Sequence, residues 1–275
     1  MERSPASFQG VPRGTLDSRA PECSTWNVLI PTEPKDGEDL RGRARAEAEK
    51  ALSASLEELE FDLEGDQQLR LIALAEMVID WGHSTNLTGH RTPLAVTQHL
   101  IVEALALHQA IETHHEPGRP GSRLVDLGSG AGFPGIPIAI ARPELEVSLV
   151  DSRERRHHFQ RAARRALGVG NLEPLLGRME ELEPVRGSLV IAQAVARSQE
   201  VLGWAAPWVQ EGGILILPGA EGAPDPGPHP GLLARGRVTY RVPGVDHARC
   251  FWPYQRSCQE QTDPNFRSKP DPKRD

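Results

Sequence analysis

Between Arg123 and Gly135 the chain reads Arg-Leu-Val-Asp-Leu-Gly-Ser-Gly-Ala-Gly-Phe-Pro-Gly, and no other stretch limits the possible folds as tightly. A short apolar run through Asp126-Leu127 meets glycines at 128, 130, 132 and 135, then the apolar Ile136 to Ala141. That order predicts a strand, a glycine turn and a helix. Glycine is needed where φ must be positive and where a side chain would hold the backbone away from a ligand, so the turn predicts a small-molecule site.

From Arg123 onward apolar and helical stretches alternate. Strands are predicted at 124–127, 147–150, 172–175, 189–192 and 214–217, and helices at 136–141, 155–167 and 200–209. Such alternation implies right-handed crossovers and a doubly wound, Rossmann-like α/β sheet, mostly parallel. Residues 237–242 and 249–254 predict an antiparallel pair at its edge.

Upstream, Asp66 can cap a helix whose Leu71, Leu74, Ala75 and Val78 share one face. Thr92-Pro93 opens a further, largely buried helix over 94–108, while 43–60 predicts a solvated acidic one. The expected organisation is a disordered segment over 1–42, a helical extension over 43–115, an α/β domain over 120–255 and a disordered tail over 256–275. Trp26 and Val28 to Ile30 form an apolar island in the first segment, and 218–231 reads as a mobile flap or an unstructured insertion.

The net charge of -7 argues against a globally basic nucleic-acid coat. No apolar run looks long enough to span a bilayer, and Met1 to Gly14 lacks the apolar centre of a secretion signal, so a cytoplasmic protein is expected. Cys23, Cys250 and Cys258 have no metal-like spacing and are expected to be free thiols, with no metal bound.

Asp151 closes the second predicted strand about twenty residues beyond the glycines, where an acid can accept from a ribose hydroxyl pair. Gly130-x-Gly132-x-x-Gly135 formally satisfies a dinucleotide fingerprint, which keeps a nicotinamide-dependent oxidoreductase as one reading. The glycines, however, begin at Gly128, and Pro134 removes an amide from the set that would face a pyrophosphate. S-adenosyl-L-methionine carries no phosphate and needs close backbone approach, a ribose acid and an adenine slot. Gly128, Ser129, Gly130, Gly132, Phe133 and Asp151 are its expected contacts.

The run Asp126 to Pro137, with its Phe-Pro-Gly-Ile-Pro continuation, resembles the first motif of the G-type small-subunit ribosomal RNA methyltransferases, the glucose-inhibited division protein B family. Trp81, Asn86-Leu87-Thr88 and His99 to Leu105 resemble further elements of that family, and the similarity covers about 56–254. Arg178-Met179-Glu180 resembles its Arg-Ala-Glu element, which implies Met179 and Glu180 at the adenine. The resemblance implies methyl transfer to N7 of a guanine in 16S ribosomal RNA, free or in the small subunit, with no membrane and no obligate protein partner. Guanine N7 has a lone pair and no proton, so no general base is expected.

The chain also departs from the family pattern. Ala192-Gln193-Ala194 stands where the family has Ser-Arg-Ala, Pro218-Gly219 where it has Lys-Gly, and Ser188 where it has Asp. The resemblance implies a cofactor contact at Gln193, the matching but altered position; its side chain cannot make arginine's charge-assisted contacts, so a member with altered substrate or lost activity is the second reading. Arg197 is a candidate replacement.

For RNA, Arg153, Arg155, Arg156, Arg161, Arg164 and Arg165 form a basic stripe on the helix after the second strand, whose alternative is a solvated face with internal ion pairs. Trp204 and Trp208 fit a helix core stripe better than a base-stacking platform, and His99 fits a buried, hydrogen-bonded histidine better than an RNA contact.

Overall fold

A computed structural model describes residues 35–82, 85–115, 122–193 and 198–257. Three helices lead the chain: α1 (Lys35–Leu59), α2 (Gly65–Gly82) and α3 (Pro93–His114). Helix α1 begins inside the stretch expected to be disordered. Gly37 and Gly42 read as helix breakers, yet an Asp39–Arg43 pair at 2.6 Å spans that turn, and Ala48, Leu52 and Leu56 are buried further along. The helix is therefore half core, not simply solvated.

Helix α2 buries Leu71, Leu74, Ala75 and Val78, as its periodicity predicts. In α3, Thr92 Oγ1 accepts from the Ala95 amide and Pro93 follows as the first helical residue. A π turn at Thr97–Ile101 then re-phases the helix, which runs to His114, six residues beyond its expected end at 108. At 22 residues, with an 18-residue window of mean hydropathy 1.2, α3 could cross a bilayer by length and composition, contrary to the expectation for the chain. Its Ile101, Val102, Leu105 and Ile111 are instead buried in the core with α1 and α2.

The α/β part contains β1 (Arg123–Leu127), α4 (Gly135–Ala141), β2 (Glu146–Asp151), α5 (Glu154–Ala166), β3 (Leu172–Leu176), β4 (Gly187–Ala192), α6 (Ser198–Ala205), β5 (Val209–Ala220), β6 (Leu232–Ala234), β7 (Val238–Tyr240) and β8 (Arg249–Arg256). Sheet order is β3-β2-β1-β4-β5-β8-β6, with β7 also on β8. The first five strands are parallel, and β8 runs antiparallel to β5, β6 and β7.

The expected β7–β8 pair forms, but β8 lies inside the sheet, and its residues to Arg256 enter the stretch expected to be tail. The 218–231 stretch is not an unstructured insertion throughout. Pro218 to Ala220 belong to β5, the Tyr254 hydroxyl donates to Gly227 O at 2.9 Å, and Gln199 Nε2 donates to Pro226 O at 2.6 Å.

Strand residues alternate between two cores. Leu124, Leu149, Ile191 and Ile216 meet α1 to α5, whereas Val125, Val150, Val190 and Leu215 meet α6 and Trp208. Gln67 of α2 donates to Ile140 O at 2.8 Å, which ties the helical extension to the end of α4. The apolar island, the residues of the predicted tail beyond 257, and Arg197 lie outside the described residues.

Candidate cofactor and acceptor site

The first crossover, from β1 through α4 to β2, packs on one face of the sheet, while α6, between β4 and β5, packs on the other. Strand order reverses at β1, so the crevice beyond its carboxyl end is free to hold a ligand. The glycine turn occupies that crevice. Its Gly128 and Ser129 amides donate to Val150 O at 2.8 and 3.1 Å, fixing the turn to the end of β2. Gly128, Gly130 and Gly132 have φ of 72°, 59° and 86°, which a side chain would strain. At Gly132 a Cβ would also lie 2.3 Å from Ile136 Cδ1.

Two aspartates hold the turn from opposite sides. Asp126 is wholly buried and accepts from the Gly135 amide through Oδ2 at 2.9 Å, while its Oδ1 has no hydrogen-bond partner among the described residues. Burial pushes its pKa up to about 7, the Asp151 charge acts in the same direction, and the Gly135 bond opposes both. Asp151 keeps both oxygens engaged. Oδ1 accepts from the Arg153 amide at 2.8 Å, and Oδ2 accepts from the Gly130 amide at 2.9 Å and Arg156 Nη1 at 3.3 Å.

A cavity of about 280 Å³ opens between these groups and the ends of β3 and β4. Its walls bring together Gly128, Asp151, Met179, Glu180 and Gln193 from the expected contacts. Ser129 instead faces inward, with Gln160 Nε2 donating to its Oγ at 3.0 Å and to Gly130 O at 2.8 Å. Gly130 reaches the site through its amide on Asp151, Gly132 packs under Ile136, and Phe133 lines a second recess described below. Of the arginine stripe, Arg153 and Arg156 border the cavity, while Arg155, Arg161, Arg164 and Arg165 are exposed on α5.

Ser152 and Trp204 also line the cavity, although neither is an expected cofactor contact. Proximity to Asp151 is the available signal for Ser152. The tryptophans divide. Trp208 is fully buried and donates from Nε1 to Met179 O at 3.1 Å, whereas Trp204 is only half-buried and faces the ligand space. His99 is exposed, not buried, and stacks on His90 with centroids 5.2 Å apart. No group of acids, histidines and cysteines suited to a metal occurs among the described residues, and Cys250 is a buried free thiol.

The chemistry of the cavity suits S-adenosylmethionine. It offers one engaged carboxylate for a ribose, the apolar Val150 and Met179 for adenine, and backbone approach at Gly128. Two of the three arginines at its rim are paired, Arg156 with Asp151 and Arg178 with Glu180, leaving no free cluster for a pyrophosphate.

The family model for rRNA small subunit methyltransferase G matches residues 67–223. The chain belongs to that family. The ribosomal RNA small subunit methyltransferase G of Azoarcus sp. (strain BH72) is 34% identical over 204 residues, covering 72% of this chain and 92% of that protein. The relative of the same name from Yersinia enterocolitica is 32% identical over 206 residues, covering 73% and 95%. Among solved structures, TrmN from Thermus thermophilus is 18% identical with a TM-score of 0.42, over 61% of this chain and 54% of that one. Membership of the G family replaces the oxidoreductase reading and makes S-adenosylmethionine the cofactor.

Proposed function

We propose that this protein transfers the methyl group of S-adenosylmethionine to N7 of a guanine in 16S ribosomal RNA, in the cytoplasm where that RNA is assembled. The observation that carries the proposal is the cavity joining Gly128, Asp151, Met179 and Gln193 in a chain of the G family. The cofactor supplies a methyl carbon activated by its sulfonium. Asp151 orients it through the ribose, Val150 and Met179 exclude water from the adenine side, and Gln193 forms the wall next to the acceptor.

No side chain has to remove a proton, because N7 has none. Positioning is therefore the main task, and a neutral Gln193 is compatible with it. Mass spectrometry of 16S ribosomal RNA from cells with and without the gene tests the reading. Loss of one N7-methylguanosine on deletion is expected, whereas identical spectra would favour the second reading, a cofactor-binding member with lost activity, which Gln193 and Pro218 support.

We assign RNA phosphates to the exposed face of α5. Arg161, Arg164 and Arg165 have no ion-pair partner among the described residues and are exposed. Changing all three to Glu is expected to weaken RNA binding and to flatten the plot of log K against log salt by about 0.7 for each phosphate that is no longer neutralised. Filter binding at several salt concentrations measures this; an unchanged slope would place the phosphates elsewhere.

A further inference from the structure

Beyond Gln193 lies a second, shallower recess of about 70 Å³ between α3 and the glycine turn, bounded by His99, Glu103, Ala104, Leu107 and Phe133. Among the described residues, Gln193 alone lines both this recess and the cofactor cavity. A methyl group leaving the cofactor cavity past Gln193 therefore enters this space. Its walls are mainly apolar, and among the described residues its polar side chains besides Gln193 are His99 and Glu103.

Glu103 is held in place. Its Oε2 accepts from Arg249 Nη2 at 2.9 Å, with both side chains largely buried, while Oε1 has no hydrogen bond to any described residue. An ionised carboxylate only accepts hydrogen bonds. Guanine presents N1–H and the 2-amino group as adjacent donors on its Watson–Crick edge, where adenine has no such pair. Binding by that edge directs N7, on the opposite side of the purine, away from α3.

We infer that this recess seats the acceptor guanine, and that Glu103 determines its specificity by accepting from N1–H and the 2-amino group, presenting N7 toward Gln193 and the cofactor. The inference rests on the guanine-methylation reading above. It goes beyond it by naming the base-recognising residue and the edge that it reads. Arg249 acts as a positioning residue: by occupying Oε2 it leaves Oε1 for the base.

The test uses the full-length protein and reconstituted small subunits carrying either guanosine or inosine, which lacks the 2-amino group, at the position found methylated by mass spectrometry. Wild-type protein is expected to prefer guanosine by about tenfold in kcat/KM, the size of one charge-assisted hydrogen bond. In Glu103→Gln, Arg249 will hold the amide oxygen and turn its NH2 toward the donors of the base. The preference should then fall to within about twofold, with S-adenosylhomocysteine affinity unchanged by calorimetry. Glu103→Asp, which keeps the charge, should restore part of the preference.

Wild-type protein that methylates both substrates equally would overturn the assignment without any variant, as would E103Q retaining the wild-type ratio. Wild-type protein that methylates neither would overturn the methylation reading itself, and this inference with it.

Discussion

Asp151→Ala is expected to reduce S-adenosylhomocysteine affinity by about 10- to 150-fold, the equivalent of one charge-assisted hydrogen bond from a ribose hydroxyl at about 1.5–3 kcal/mol, because Oδ2 already accepts from Gly130 and Arg156 and Oδ1 has room for one more donor. The same change affects the unliganded protein. The Asp151 carboxylate receives the Gly130 and Arg153 amides and Arg156, so its removal frees three donors at the centre of the turn. A lower thermal midpoint without ligand is therefore expected, together with the loss of most ligand-induced stabilisation. Asp151→Asn keeps one acceptor oxygen but sets an NH2 against one of the donors, so it should fall between the two. Calorimetry and thermal unfolding with and without ligand measure both effects. Affinity within threefold of wild type would show that the ribose is held elsewhere.

The second large effect is a pH dependence carried by Asp126. Its folded pKa is raised to about 7 against about 3.9 for an unfolded aspartate, because burial disfavours the charged form. The folded state therefore binds the proton more tightly. The associated stabilisation is complete below about pH 4 and is lost as pH rises through about 7. At about 1.36 kcal/mol per unit, the upper bound is about 4 kcal/mol.

Other groups slope in the opposite direction. His90, His115 and His157 have pKa values lowered mainly by burial, so they reduce stability as pH falls below about 6.5. Glu112, lowered to about 2 chiefly by its bond with His108, acts only in acid. Comparison of wild type with Asp126→Asn isolates the aspartate. Urea unfolding between pH 5 and 8 should show wild type losing stability relative to D126N by an amount on the order of 2–4 kcal/mol. Parallel curves for the two proteins would rule out a raised pKa at Asp126.

Much of this architecture is visible in local patterns. The parallel strands themselves follow from short apolar runs alternating with helices, and Thr92-Pro93 identifies the start of α3 because both cap chemistry and fixed φ act within a few residues. Features determined by distant partners are less visible. β8 reads as an edge strand through its expected pairing with the alternating 237–242 stretch, and only its pairing with both β5 and β7 places it inside the sheet. Trp204 and Trp208 share helical spacing, but the chain turns into a 3-10 segment at Ala206–Trp208, and this separates a cavity wall from a core residue. By sequence Glu103 is one more polar residue in an apolar helix. Its significance comes from Arg249, on a strand 146 residues away.

The position of β8 also bears on association between copies of this chain. One edge of β8 pairs with β5 from Ile214 to Ala220, and the other carries β6 and β7. Without it, the long and largely apolar β5 would present a free row of amides and carbonyls, a template for association between chains. In its place the sheet ends in two three-residue strands, with exposed Arg235 and Gly236 between them. The strand that completes the second core is thus also the one that denies a neighbouring molecule a place to add itself.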